Sequence, residues 1–155
     1  MVTIREATQG DRESIWLVHT RAIREVCLTH YPQSELQAWA GLLKPTRYQN
    51  AIRRGAFFVA VENDVIVGFG NLNQEHGEVE AVYVHPDHVG LGLGMQILQT
   101  LESLARDSGL ASLHLCSTLN AVPFYEKAGF ERQGEKKYLL PSSMIGCVRM
   151  VKKLP

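Results

Sequence analysis

The chain has 155 residues, with sixteen Lys and Arg against sixteen Asp and Glu, so its formal net charge at pH 7 is zero. This length suits one globular domain, residues 1–155, and a zero net charge disfavours nucleic acid or an anionic membrane surface as a partner. No apolar run approaches the roughly eighteen residues that span a bilayer, and acids near the N-terminus argue against a secretory signal, so we expect a cytoplasmic protein.

Hydrophobic periodicity predicts three elements and then a meander in the first half of the chain. Alternation with β-branched residues indicates strands, and apolar residues three or four apart indicate helices. In chain order we predict a strand at 2–7, helices at 11–29 and 34–43, and strands at 57–61, 65–71 and 78–84. The tight-turn composition after 61 predicts an antiparallel hairpin.

The second half continues with a glycine-rich turn and alternating element types. We predict a helix at 95–106, a strand at 113–116, a helix at 120–128, and strands at 130–138 and 145–153, the last pair joined by a loop at 140–143. The order β-α-α-β-β-β-α-β-α-β-β predicts the α/β (α+β) class. It fits a mixed, mostly antiparallel sheet of about seven strands with helices on both faces.

The cysteines and two histidines offer little chemistry by their spacing. Cys27, Cys116 and Cys147 are odd in number and far apart, which predicts reduced thiols and no disulfide. Cys116 lies in an apolar run without an evident base, so a packed thiol is favoured over a nucleophile. His85 and His88 flank a turn with no third ligand at a suitable spacing, so we expect no metal site.

The glycine-rich turn Gly90-Leu91-Gly92-Leu93-Gly94 follows a predicted strand and precedes a predicted helix. Such a turn aims backbone N–H groups at one point near the positive end of the helix dipole, which suits a phosphate, although a plain tight turn fits equally well. A dinucleotide fingerprint would need glycine where Met95 or Ile97 stands, and the Gly-Lys of a P-loop is absent. A nucleotide-binding regulatory domain is therefore disfavoured.

Two segments beside this turn carry a resemblance to a known family. They are Val82-Tyr83-Val84-His85-Pro86 before it and Asn120-Ala121-Val122-Pro123-Phe124-Tyr125-Glu126-Lys127-Ala128-Gly129-Phe130 after it. With the element order, they make nearly the whole chain resemble the GNAT N-acetyltransferase superfamily. In that family an Arg or Gln precedes the glycines, whose main-chain amides bind the CoA pyrophosphate; here Val89 stands at that position.

The resemblance implies a GNAT-like acyl-CoA N-acyltransferase fold, acetyl-CoA as cosubstrate and an amine as acceptor. Backbone groups of the strand before the turn would pair with the pantetheine arm, and the turn would hold the pyrophosphate. The residues implied to contact the cofactor are Val82, Tyr83, Val84, Gly90, Leu91, Gly92, Leu93, Gly94, Met95, Asn120 and Tyr125. Homodimers are common in the resembling family, so we also expect a possible dimer through the final strands.

Two of these residues have competing explanations. Asn120 would hydrogen-bond the cofactor, and a helix cap is a compatible role. Tyr125 would face the thioester sulfur and return a proton to the departing thiolate, whereas an isolated Phe-Tyr pair would suggest core packing. A strand N–H near Val82 to Val84 would stabilise the negative charge that develops on the thioester oxygen.

Acetyl transfer also requires a neutral amine, and an amine of pKa about 10.4 is neutral only about 0.04% of the time at pH 7. A base is needed, and the resemblance implies a carboxylate on the strand at 78–84. Glu78 and Glu80 are two apart and so face the same side of that strand, which makes them joint candidates for the base. An exposed acidic strand face explains each glutamate equally well.

The acceptor cannot be identified from the sequence. His30, Tyr31 and Trp39 lie in the segment that borders the acceptor pocket in the resembling family, where substrate contact and core packing are equally plausible. The resemblance implies direct transfer of acetyl from acetyl-CoA to a primary amine. A CoA-binding sensor or interaction domain that has lost the chemistry is the alternative, which the departure at Val89 favours.

Overall fold

The computed structural model describes residues 1–141 and 143–155, and its centre is one seven-stranded sheet. The strands are β1 Val2–Glu6, β2 Phe57–Glu62, β3 Val65–Asn73, β4 Glu78–Val84, β5 Ser112–Thr118, β6 Glu131–Leu139 and β7 Met144–Lys153. Their spatial order is β1-β2-β3-β4-β5-β7-β6, and every neighbouring pair is antiparallel except β4 and β5. The predicted mixed, mostly antiparallel sheet is confirmed. Ser142, in the predicted loop between the last two strands, lies outside the described residues.

Helices cover both faces of this sheet. They are α1 Arg12–Arg21, α2 Gln33–Gly41, α3 Gln49–Arg54, α4 Leu93–Asp107 and α5 Val122–Lys127. Phe69 and Gly70 are neighbours in β3 and so point to opposite faces. Phe69 packs with α1 residues such as Ile15, whereas a Cβ at Gly70 would lie against Ile97 of α4. None of the described helices is long and apolar enough to cross a membrane.

The first predicted helix is a continuous helical segment with a change of pitch. After α1 the chain forms a π-helix at Ala22–Val26 and a 3-10 turn at Cys27–Thr29. The apolar spacing predicted the full extent of this segment. It gave no sign of the wider π turn, after which Cys27 is buried and Val26 is only half-buried.

The segment between α2 and β2 is helical, which the sequence prediction missed. No element was predicted between residues 43 and 57, but Pro45 begins a 3-10 turn at Pro45–Tyr48 that leads into α3. Proline is favourable at a first helical position because its φ is already helical and its missing N–H would be unpaired there. The spacing of the buried Tyr48 and the half-buried Ala51 and Ile52 was the available signal.

Helix α4 lies very close to the sheet. A Cβ at Gly70 would lie 2.5 Å from Ile97 Cγ2 and 2.9 Å from the Ala81 carbonyl oxygen. Both Ile97 and the neighbouring Leu98 are fully buried. Glycine at position 70 therefore allows the helix to pack against β3 without displacing its apolar face.

The parallel strands β4 and β5 separate soon after they meet. Their only recorded Cα pair is Glu78 with His114, and the His114 N–H donates to the Gly77 carbonyl at 3.0 Å. Glu80 forms a bulge in β4, since Ala81 and Val79 oppose consecutive residues of β3. The C-terminal halves of β4 and β5 consequently enclose a gap in the sheet.

Candidate functional site

The gap leaves backbone groups of β4 without a partner strand. The His85 N–H donates to the Val67 carbonyl at 2.8 Å, which sets the alternation of hydrogen bonds between β4 and β3. In this antiparallel register the backbone of Tyr83 pairs with β3, whereas the N–H and C=O groups of Val82 and Val84 point into the gap. Of the three residues predicted to pair with the pantetheine arm, Val82 and Val84 are therefore the two whose backbone groups are available for it.

The glycine turn ends in the N-terminus of α4. Gly90 and Gly92 have φ of +80° and +83°, a conformation that side chains with a Cβ rarely adopt. The helix begins at 93, two residues before the predicted start, and its first recorded i to i−4 bond runs from the Gln96 N–H to the Gly92 carbonyl at 3.1 Å. The N–H groups of residues 93–95 have no helical acceptor, so this end of α4 can bind an anion.

The turn adjoins the gap through Gly94. A Cβ at Gly94 would lie 3.2 Å from Phe124 Cε1 and 3.8 Å from Val84 Cγ2, so the helix end lies between β4 and α5. Val89 is 49% exposed and Leu91 is 64% exposed. An anion bound here would rely on main-chain donors, because position 89 supplies no polar side chain.

Asn120 has an unpaired atom beside this gap. It lies inside the 3-10 turn Leu119–Ala121, and neither that turn nor α5 has a side-chain cap hydrogen bond. The helix-cap interpretation is therefore wrong. Its Oδ1 is buried without a hydrogen-bond partner among the described residues, and such an acceptor is costly unless a ligand donor or a water satisfies it.

Tyr125 lies in α5 and is 6% exposed. Its ring makes edge contacts with Phe124 and Phe130, so core packing fixes the side chain. The described residues offer its hydroxyl no hydrogen-bond partner, and burial raises the pKa of Tyr125 well above 10. The hydroxyl is thus protonated at neutral pH and free to donate to a ligand.

Tyr83 is an aromatic residue of β4 whose ring lies against those of His19 and Phe69. Burial raises the pKa of Tyr83, and the neighbouring Cys27 and Tyr125 raise that pKa further.

A cavity of about 530 Å³ lies on the α1 face, where it adjoins the gap. Tyr83, Trp39 and both predicted glutamates form parts of its wall. Glu78 and Glu80 thus line the same cavity, although the bulge at Glu80 breaks the regular strand alternation between them.

The two glutamates differ in their surroundings. Glu80 Oε1 accepts hydrogen bonds from Arg54 Nη2 at 2.8 Å and Asn71 Nδ2 at 2.7 Å. Asn73 Nδ2 lies 3.5 Å from the other oxygen of Glu80. Glu78 is half-buried in the cavity wall and makes no hydrogen bond or ion pair with the described residues. The lone pairs of Glu78 are therefore open to a ligand, whereas one oxygen of Glu80 is already saturated.

Several cavity residues were not predicted from the sequence. His19, Arg47, Tyr48 and Arg54 line the cavity, and three of them come from the helical segment that the prediction missed. His19 lay within a predicted helix, but nothing in the sequence shows which helix face meets a cavity. The place of His19 in the cavity becomes evident only in the folded structure, where α1 packs over Tyr83.

His19 is a buried and neutral histidine. Its Nδ1 lies 2.8 Å from the Tyr48 hydroxyl, and its ring centroid lies 4.3 Å from that of Tyr83. Burial, and then the positive charge of Arg47, lowers the pKa of His19 to about 3. The imidazole therefore contributes shape and hydrogen bonding to the cavity, and no charge at neutral pH.

The three aromatic candidates from the α2 region have different positions. Trp39 lines the cavity, so it is available for substrate contact. Tyr31 is buried instead, and its hydroxyl donates to the Gly146 carbonyl and accepts from the Leu119 N–H at 2.9 Å. His30 is exposed and lies 2.7 Å from the Thr29 hydroxyl. Tyr31 therefore has a structural role.

The other sequence candidates do not form a metal or disulfide site within residues 1–141 and 143–155. His85 Nε2 lies 2.9 Å from Arg21 Nη1, and His88 Nε2 lies 3.7 Å from Glu62 Oε1. No cluster of three His, Cys, Asp or Glu side chains is found in these ranges. All three cysteines are free; Cys27 and Cys147 are buried, whereas Cys116 is partly buried and lines the cavity wall.

Known proteins resemble this chain over most of its length. The family model described as an acetyltransferase (GNAT) domain matches residues 27–154. The uncharacterized N-acetyltransferase YafP of Escherichia coli K12 is 24% identical over 130 residues, which cover 84% of this chain and 81% of YafP.

Solved structures share the fold over almost the whole chain. The crystal structure of a GCN5-related N-acetyltransferase from Rhodopseudomonas palustris superposes with a TM-score of 0.92 at 23% identity, covering 98% of this chain and 95% of that one. The PaiA N-acetyltransferase from Thermoplasma acidophilum, solved in complex with coenzyme A, gives a TM-score of 0.79 at 20% identity and covers 99% of both chains. With most of its length matched by the family model, the chain belongs to the GNAT acetyltransferase family.

Proposed function

We propose that this chain transfers the acetyl group of acetyl-CoA directly to a primary amine. The single observation that carries the proposal is the gap between β4 and β5, whose unpaired backbone and glycine turn adjoin a cavity with an open carboxylate. A structural relative from Thermoplasma acidophilum is solved with coenzyme A, which supports the same cofactor here.

The residues around the gap fit a CoA ester. Val82 and Val84 would pair with the amides of the pantetheine arm as an added strand. The N–H groups of residues 93–95 would bind the pyrophosphate, with Gly90 to Gly92 bringing the backbone close to it. The unpaired Asn120 Oδ1 would accept from an amide N–H of the arm. Bound there, acetyl-CoA supplies an acetyl thioester activated for attack by an amine.

Glu78 is the general base in this proposal. An acceptor amine binds mainly as the ammonium ion, and one proton must leave before its nitrogen can attack. Glu78 lines the cavity with its lone pairs open, whereas Glu80 is bound by Arg54 and Asn71. Glu78 therefore takes the proton, directly or through one water, and Glu80 adds negative charge that attracts the ammonium form.

Tyr125 completes the transfer of protons. The amine nitrogen bonds to the acetyl carbon, the carbon–sulfur bond breaks, and the Tyr125 hydroxyl gives its proton to the sulfur. The nitrogen then loses its second proton as the amide forms, and that proton restores the Tyr125 hydroxyl, while Glu78 releases the first proton to water. A main-chain N–H of Val82 or Val84 in the gap stabilises the charge on the acetyl oxygen. No residue is acylated, so Cys116 in the cavity wall has no part in the reaction.

Two variants and a binding measurement test the proposal. Free CoA release would be followed with a panel of amines, and acetyl-CoA binding by titration calorimetry. We expect Glu78→Gln to lower kcat/KM by about 10²–10⁴-fold with unchanged acetyl-CoA affinity. Glu80→Gln should mainly raise KM for the amine. A larger loss of kcat in Glu80→Gln than in Glu78→Gln would reverse the two roles.

Two results would contradict the function itself. If acetyl-CoA produces no heat and no shift in thermal midpoint, the gap does not bind it. If acetyl-CoA binds tightly but no amine in a broad panel is acetylated, a CoA-binding sensor or interaction domain is the better description.

A further inference from the structure

A second cavity, of about 460 Å³, lies beside the first on the surface formed by β5, β7 and β6. We call it the basic groove, defined by Arg149, Lys136, Gln133 and His114 in its wall. Glu78, Cys116 and Tyr138 line both cavities, so the groove and the acceptor cavity are continuous. The proposed general base therefore stands at their junction.

The strand register places the two cations of the groove on one face. Arg149 in β7 opposes Gly134 in β6 and Cys116 in β5, and residues that oppose each other across a sheet point to the same side. Lys136 is two residues after Gly134 and so shares that side. The Arg149 guanidinium extends over β6, since its Nη2 would lie 3.9 Å from a Cβ at Gly134.

Neither cation is neutralised by the described residues. Arg149 makes no ion pair with them, and the Lys136 ammonium lies 4.9 Å from the Tyr138 ring centroid with no carboxylate partner. Arg5, Arg21 and Arg54 show the opposite arrangement, because each has a carboxylate oxygen at 2.8 Å. The groove therefore presents two cations that form no ion pair with the described residues, and its wall also holds Glu78.

Most of β6 is exposed, so the groove is open to a ligand in solution. Eight of the nine residues from Glu131 to Leu139 are exposed. Helix α2 packs against the neighbouring strand β7 at its Ile145 end. Since the chain has zero net charge, no long-range field selects a substrate, and local charges determine the preference.

We propose that the acceptor is an amine that also carries a carboxylate or a phosphate, which Arg149 and Lys136 bind in the basic groove. Its amine reaches Glu78 from the groove side while its anionic group forms charge-assisted hydrogen bonds with the two cations. This inference rests on the acetyl transfer proposed above, and it assigns the substrate class of the same site.

Matched pairs of amines test this preference. The probes are glycine, β-alanine and γ-aminobutyrate, each compared with its own amide, and phosphoethanolamine compared with ethanolamine. We expect at least one anionic member to exceed its neutral partner by roughly tenfold or more in kcat/KM. The carboxylate series gives the spacing between amine and anion, and the ethanolamine pair distinguishes phosphate from carboxylate.

Substitutions of Lys136, Arg149 and Lys137 show which side chains produce the preference for an anionic amine. Lys136→Gln and Arg149→Gln should each reduce the ratio of kcat/KM for the anionic amine to that for its neutral partner severalfold. Lys137→Gln is the matched control, because Lys137 is the next residue of β6 and points to the other side of the sheet. Circular dichroism and thermal midpoints confirm that each variant is folded.

Three outcomes separate this inference from the proposed function. If every neutral amine is acetylated as well as its anionic partner, the acceptor class is wrong while acetyl transfer stands. If the preference is lost in Arg47→Gln and retained in Arg149→Gln, the anion binds at the other wall of the first cavity and the groove assignment is wrong. If no amine is acetylated although acetyl-CoA binds, the transferase function fails, and this inference fails with it.

Discussion

Glu78 and His114 form the Cα pair at which the parallel strands β4 and β5 meet. Glu78 consequently stands at the closed end of the gap and in the wall of both cavities. One residue position thus connects the strand that would bind pantetheine, the acceptor cavity and the basic groove. The proposed reaction depends on this position, and the following measurements test the structural features around it.

Replacing Tyr125 by phenylalanine should separate catalysis from stability. The Tyr125 hydroxyl has no protein partner among the described residues, so Tyr125→Phe should change the free energy of unfolding by no more than about 0.5 kcal/mol. It should lower kcat by about 10²-fold or more, because the leaving sulfur loses its proton donor. Steady-state kinetics and urea unfolding of the same preparation measure both effects. An unchanged kcat would exclude Tyr125 as the acid.

Tyr31→Phe is the matched control with the opposite expectation. The Tyr31 hydroxyl bridges the Leu119 N–H and the Gly146 carbonyl, and burial raises the pKa of Tyr31 to about 12. Removing it leaves two partly buried backbone groups unpaired, which should cost about 1–3 kcal/mol of unfolding free energy. Turnover per folded molecule should stay close to that of the unaltered chain. A stability loss below the error of the urea titration would show that water replaces the hydroxyl.

His19 should make stability depend on pH. Its pKa is about 3 when folded, against 6.5 for an ordinary histidine, so between these values the unfolded chain binds a proton that the folded chain does not. Stability should therefore fall on acidification through this window, by up to about 1.4 kcal/mol per pH unit from this residue. His19→Phe should flatten the dependence of unfolding free energy on pH, and His30→Gln, at an exposed position, should not. Equal slopes in His19→Phe and the unaltered chain would contradict the buried neutral assignment.

Alanine substitutions at Gly70 and Gly41 should have opposite effects on the stability of the chain. A Cβ at Gly70 would collide with Ile97 and with the Ala81 carbonyl, so Gly70→Ala should destabilise the chain by about 1–3 kcal/mol. Gly41 lies at the end of α2 with nothing within 4 Å of a Cβ, and Gly41→Ala should stabilise it by up to about 1 kcal/mol. Thermal denaturation of both variants measures the difference, and a neutral Gly70→Ala would show that α4 shifts freely.

The sequence predicted the order of strands and the long α4 because their periodicity is strong. Apolar residues that recur every second position in strands and every three or four positions in helices are buried in the fold, as the fully buried Leu98 and Leu101 of α4 show. The start of α4 was placed two residues late, since Leu93 and Gly94 were assigned to the turn. Glycine is a poor helix former, and the first turn of a helix carries little apolar signal.

The site was predictable where the family motif fixes a backbone position, and unpredictable where distant segments meet. Glu78 and Glu80 were expected to share a face, and they line one cavity. The different hydrogen-bond partners of the two glutamates could not be inferred from the sequence. Arg54 lies 26 residues from Glu80, in a helical segment that was not predicted. The basic groove likewise depends on the register of β5, β7 and β6, which no local pattern specifies.

The most direct test of the central claim is amide hydrogen exchange with and without acetyl-CoA. Val82 and Val84 direct their N–H groups into the gap, while Tyr83 is already bonded to β3. We predict that saturating acetyl-CoA slows exchange at Val82 and Val84 and in residues 93–95, and leaves Tyr83 nearly unchanged. Binding of acetyl-CoA without protection at Val82 and Val84 would contradict the account, because the cofactor would then lie outside the gap between β4 and β5.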